Sequence, residues 1–139
     1  MYTLEEITAL RQKCDELQLE GREILDHYSD EELQVICNGI GPEVFPSWAR
    51  HMVSGLHPTL ETAAFIHDAE WGGRQDECSK EHFTASNERF RENGCIAARA
   101  EYGWYNLLRY LVMDQARRFS NYCQLFGYGF YKESKQCAE

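Results

Sequence analysis

The apolar residues of this chain recur every three or four positions across segments of helical length. Leu4, Ile7, Cys14 and Leu17, with Leu10 beside them, form the first such stripe, and charged side chains fill the opposite face. Thr3 precedes it and Glu6 follows three positions on, a reciprocal pattern in which a hydroxyl and a carboxylate satisfy backbone amides at a helix start. Gly21 interrupts the pattern, which Ile24, Leu25 and Tyr28 resume. Ser29 and Glu32 repeat the start signal and open a short helix through Val35, Ile36 and Cys37. Asn38-Gly39, a pair tolerant of the left-handed conformation, ends it. Gly39 to Pro46 reads as irregular loop, and Ser47 opens another short helix with Trp48, His51, Met52 and Leu56.

Pro58 suits a first helical turn and introduces the segment Thr59 to about Trp71. Leu60, Ala63, Ala64, Phe65, Ile66 and Ala69 leave that segment apolar nearly all round, the mark of a central helix, and Gly72-Gly73 stop it. Asp76 to Lys80 reads as a polar loop. Ser79 then caps a helix carrying Phe83, Asn87 and Phe90 as far as Asn93-Gly94. A long helix from about Cys95 to Phe126 follows, with Trp104, Leu107, Leu108, Leu111, Phe119 and Cys123 among its apolar positions. Gly127 and Gly129 end it, and Phe130-Tyr131 fold back as a tail. No β-alternating run and no repeat is present. The pattern predicts an all-α compact helical bundle in one domain, 1–139, with a helical arm over 1–28 and a core over 29–131.

Composition narrows the function classes. A length of 139 residues with 43% apolar and 27% charged positions fits one globular domain. The net charge of -9 opposes nucleic acid and anionic membranes as partners, and Arg117-Arg118 is an isolated basic pair. Leu107 to Met113, the richest apolar stretch, is split by Arg109 and is too short to span a bilayer. The first residues lack the basic-then-apolar pattern of a secretory signal, so a cytoplasmic location is expected. Six cysteines occur with no Cys-x-x-Cys spacing, which favours free thiols over disulfides and disfavours zinc; Cys14 and Cys123 read as core residues. His27, His51 and His57 read as surface residues, Trp48 and Trp104 as core or half-buried. Glu61 and Glu70 flank the central helix and could add to a cation site, with Glu70 otherwise facing solvent. The first helix is also a candidate arm for a homo-oligomer.

His67 and Asp68 stand in the middle of the most apolar segment, where a polar pair is unfavourable unless it is hydrogen-bonded or binds something. Adjacent helical positions lie about 100° apart, so the two side chains can serve two different partners. One reading is a satisfied core pair. The other takes in the upstream loop Asn38-Gly39-Ile40-Gly41-Pro42, whose alternate glycines let backbone carbonyls turn toward a hard cation.

Together with the segment Ala63-Ala-Phe-Ile-His-Asp-Ala-Glu-Trp71, that loop resembles the small phospholipase A2-like proteins of bacteria and phages, over about residues 37 to 91. The resemblance implies His67 as general base, Ca²⁺ held by Asp68 and the carbonyls of Gly39, Ile40 and Gly41, and a phospholipid or small ester as substrate. It also implies that Asn87, at the position of the family's orienting Asp, fixes the imidazole through its amide oxygen. Trp71 replaces the usual tyrosine, the cysteines that flank the pair in secreted relatives are absent, and Asn87 lacks the charge of an Asp. The neutral Asn87 favours a rival expectation, a non-catalytic binding or assembly protein on the same scaffold.

Overall fold

The computed structural model describes residues 2–39, 55–72 and 78–135, and among them every regular element is helical. The helix expected from Ser47 through Trp48, His51 and Met52 lies outside the described residues. So do Ile40 and Gly41 of the glycine loop.

Helix α1, Leu4–Glu16, begins as its sequence dictates: the Thr3 hydroxyl accepts from the Glu6 amide while Glu6 reaches back to the Thr3 amide. Its stripe of Ile7, Leu10 and Cys14 is buried within the chain. Gln18 and Gly21 both take positive φ, and a 3-10 turn, Arg22–His27, follows. Asn93 clips this connection from across the molecule. Its oxygen accepts from the Glu20 amide at 2.7 Å and its nitrogen donates to the Glu20 carbonyl at 2.8 Å. Helix α2, Asp30–Gly39, starts with the second reciprocal cap, between Ser29 and Glu32.

A 3-10 turn, Pro58–Leu60, leads into α3, Glu61–Gly72. The expectation that this helix is central holds. Phe65, Ile66 and Ala69 pack into a cluster with Ile7, Leu10, Leu25 and Leu33. Leu60 and Ala63 enter a second cluster with Phe90, Ala98, Val112 and Ala116. Trp71, at the far end, joins Phe83 and Tyr131 in a third. Each fully buried Phe contributes roughly 1.5–3 kcal/mol by leaving water, so Phe65, Phe83 and Phe90 anchor the three clusters.

Helix α4, Lys80–Glu101, is capped by Ser79 as expected but does not stop at Asn93-Gly94. Gly94 is a packing notch instead: a Cβ there would lie 2.6 Å from Ala116 Cβ and 3.0 Å from Leu60 Cδ2. The break falls later, at Tyr102 to Asn106, where the Asn106 side chain accepts from the Leu108 amide and starts α5, Leu107–Phe126. One long helix from Cys95 is thus corrected to two, and Trp104 stands in the connection, 75% exposed rather than in a core. The expected tail is itself a helix, α6, Tyr128–Ser134, with Tyr131 buried against Trp71 and Phe83. Cys14, Cys37, Cys95 and Cys123 are free thiols, whereas Cys78 is disulfide-bonded, against the expectation for that residue. Among the described residues no helix is long and apolar enough to cross a membrane.

Candidate functional site

Helix α3 presents His67 toward α4. Asn87 lies on the α4 face that also carries Phe83 and Phe90, at the three- and four-residue spacing of one helical face. Nε2 of His67 and Oδ1 of Asn87 are 2.9 Å apart. An amide oxygen only accepts, so Nε2 carries the proton and Nδ1 keeps its lone pair. Nδ1 has no hydrogen-bond partner among the described residues. The ring is boxed by Trp71, Phe90 and Phe119, with centroids at 4.7, 5.4 and 6.1 Å. The residue is 5% exposed, and burial lowers its pKa against the opposing effects of the Asn87 hydrogen bond and the Glu70 charge. The imidazole is therefore neutral at pH 7 and fixed in one tautomer.

Asn87 is held in turn. Its Nδ2 donates to Gln124 Oε1 at 2.9 Å, and Gln124 Nε2 donates to Thr84 Oγ1 at 2.9 Å. Ser120 on α5 donates its hydroxyl to the Asn87 carbonyl at 2.7 Å. Because each amide in this relay uses one end to donate and the other to accept, neither can rotate alone. The relay thereby sets the orientation of Asn87 and hence the tautomer of His67. Trp71, at the position where the family resemblance leads one to expect tyrosine, donates Nε1–H to Ser86 Oγ at 2.9 Å. The Ser86 hydroxyl in turn donates to the Phe83 carbonyl.

Asp68, one position on, faces a different set of groups. Its charge acts on the Tyr2 hydroxyl and on the Cys37 and Cys123 thiols, all of which stay protonated. The Cys123 thiol is pushed up to about 12, by burial first and by Asp68 second. The Asp68 carboxylate itself is pushed up to about 7 by burial, with no cation or donor among the described residues offsetting the shift. Tyr2 hydrogen-bonds Glu61 and packs edge-on against Phe65, so the N-terminal segment closes over this side of α3.

Glu70 does not face solvent. It is buried and receives two hydrogen bonds from Arg89, both 2.9 Å, in a bidentate pair between α3 and α4. Of the residues expected at the site, the fold brings His67 and Asn87 into contact and leaves Asp68 unpaired among the described residues. Gly39 stands at the end of α2, whose Cys37 lies within range of the Asp68 charge. Sequence reasoning missed Gln124, Thr84, Arg89 and Tyr2. For Arg89 a signal existed: a Glu on a helix apolar all round needs a cation.

Among the described residues no group of three or more His, Cys, Asp and Glu side chains could hold a metal ion. No family model, curated protein or solved structure matches the chain. The resemblance to phospholipase A2-like proteins accordingly rests on the residues quoted for it.

Proposed function

We propose that the protein is an ester hydrolase of phospholipase A2-like design, with His67 as general base and a Ca²⁺ ion at Asp68. One observation carries this reading. A neutral, buried imidazole is tied through Nε2 to Asn87 while Nδ1 keeps an unshared lone pair, and the next residue is a carboxylate with no counter-charge among the described residues. A purely structural pair satisfies both members.

A hard cation would be held by Asp68 and by backbone carbonyls, since the described residues gather no group of three or more ligating side chains. Asp68 offers an anionic oxygen whose burial is unfavourable until a cation neutralises it. The last carbonyls of α2, which end at Gly39, lack intrahelical donors and carry the negative end of the helix dipole. Gly39, Ile40 and Gly41 would supply the carbonyls in the resemblance. Bound there, Ca²⁺ would polarise an ester carbonyl and stabilise the charge developing on its oxygen. His67 takes the proton of an attacking water at Nδ1, and Asn87 Oδ1 holds Nε2–H and keeps the ring from turning. Trp71, Phe90 and Phe119 exclude bulk water from the far side of the imidazole. The substrate class is a phospholipid or a small carboxylic ester.

The test is hydrolysis of zwitterionic phospholipid and of short-chain esters in millimolar Ca²⁺, comparing the wild type with His67→Ala and Asp68→Asn. Activity in the wild type that both variants lose supports the proposal. Equal turnover in all three, or none in any, favours the second reading, a non-catalytic scaffold in which His67 joins α3 to α4. The neutral Asn87, which cannot stabilise an imidazolium as an Asp does, is the observation behind that second reading.

A further inference from the structure

Helix α5 buries Val112, Met113, Ala116 and Ser120 and turns an apolar ridge outward. Leu107, Leu111 and Leu125 on that ridge are 70%, 54% and 74% exposed. At about 100° per residue, positions 107, 111, 114, 118 and 125 fall within a strip of about 60° of arc. The spacings of four, three, four and seven are those of a seam that meets another helix. Midway along it stand Asp114 and Arg118, joined at 2.9 Å within the helix, their side chains 48% and 75% exposed.

Two pairs of positions on the strip are symmetric about the level of Ala116. Leu107 and Leu125 stand nine positions to either side, and Asp114 and Arg118 two. We propose that this face docks on a second copy of the chain, α5 against α5, antiparallel about a two-fold axis at Ala116. In that register Leu107 meets the second copy's Leu125. Asp114 meets Arg118, twice, so the two helical ion pairs join into a ring of four alternating charges. A parallel pairing sets Asp114 against Asp114 and Arg118 against Arg118, which like-charge repulsion disfavours. A two-fold contact requires this self-complementarity, since the same patch serves both subunits.

A groove of about 390 Å³ at the ridge is lined by Leu56, Leu111, Asp114, Arg118 and Phe119 among others. It gives the second copy's side chains a place to enter. The charge pattern decides against an anionic surface as occupant. The chain as a whole carries -9, whereas the seam itself is balanced. The proposal stands independently of the hydrolase reading.

Sedimentation equilibrium of the full chain tests it, with circular dichroism to check that each variant is folded. The wild type should sediment at twice its 16.2 kDa mass. Asp114→Arg and Arg118→Asp, each alone, place like charges across the axis and should yield monomers. The double variant restores alternating charges and should return the dimer. A wild type that is monomeric at all concentrations, or single reversals that leave the dimer unchanged, would overturn the proposal. So would a double variant that stays monomeric while folded. Binding of a monomeric wild type to phosphatidylcholine vesicles, lost in Leu107→Glu, would assign the face to a lipid surface instead.

Discussion

Replacing Asp68 with asparagine should make the protein more stable at alkaline pH, although it removes a charged residue from the centre of the molecule. The Asp68 carboxyl sits at about 7 against an ordinary 3.8, raised by burial. A carboxyl raised on folding binds more protons in the native than in the unfolded state between those values. Stability is therefore full below about pH 4 and is lost as pH climbs toward 7. The slope approaches about 1.4 kcal/mol per pH unit, and a shift of three units amounts to about 4 kcal/mol above pH 7. The side chain is only half-buried, and water reaching it trims this to roughly 2–4 kcal/mol. The asparagine amide carries no charge, so in Asp68→Asn the penalty disappears. Urea unfolding of wild type and Asp68→Asn at pH 4, 6 and 8 measures the difference: near zero at pH 4, growing to the full amount at pH 8. Millimolar Ca²⁺ at pH 8 should then return stability to the wild type and leave the variant unchanged. Stability profiles that run parallel from pH 4 to 8 would refute the account of Asp68 as an uncompensated carboxylate. A Ca²⁺ response equal in both proteins would remove the cation from this residue.

The other expectations come from neighbouring contacts. Arg89→Ala strands the buried Glu70 carboxylate and should cost about 3 kcal/mol in denaturant unfolding at pH 7; Glu70→Ala leaves a partly exposed Arg89 and should cost less, and the reverse order would refute the burial argument. Asn87→Asp places a charge on Nε2 of His67 and should raise ester turnover by about tenfold or more, with the acid limb of the pH profile moving to higher pH as the imidazole pKa rises. Gln124 can turn to donate to the new carboxylate and accept from Thr84, so a folded Asn87→Asp protein with unchanged turnover would count against His67 as the base. Gly94→Ala should lower stability by roughly 1–3 kcal/mol, because the added methyl meets Ala116 Cβ at 2.6 Å. That loss outweighs the gain of about 1 kcal/mol in helix propensity, and a stabilised variant would show the α4–α5 contact to be loose.

Where the determining interactions are local, the sequence was legible. The caps at Thr3, Ser29 and Ser79 join residues three apart, and all are formed as their patterns require. The central place of α3 followed from its near-complete apolar surface, since a helix with no polar face has nowhere to go but inside. Gly94 shows where local reasoning fails. A glycine after an asparagine is a helix stop in isolation, but here it is the only residue small enough for α5 to approach, and that depends on Ala116, twenty-two positions away. Trp104 departs from expectation for a related reason: aromatic content marks a buried face only when the helix continues through it, and the helix breaks at Tyr102 to Asn106.

The site divides along the same line. His67 and Asn87 could be paired from sequence because the resemblance supplied a distance of about twenty residues between two helices, and the 2.9 Å contact joins those two positions. The relay through Gln124 to Thr84 carried no such signal, because two amides and a hydroxyl on separate helices leave no pattern in the chain. Asp68 is the informative case. A helix dictates that Asp68 points about 100° away from His67, and the fold surrounds it with Tyr2, Cys37 and Cys123, none of them cationic. Selection for stability alone would put an apolar or amide residue there. A chain that satisfies Glu70, two positions on, with a bidentate arginine, yet leaves Asp68 without a counter-charge among the described residues, treats the two carboxylates differently. Glu70 has its cation within the fold, whereas on the proposed function Asp68 takes one from solution.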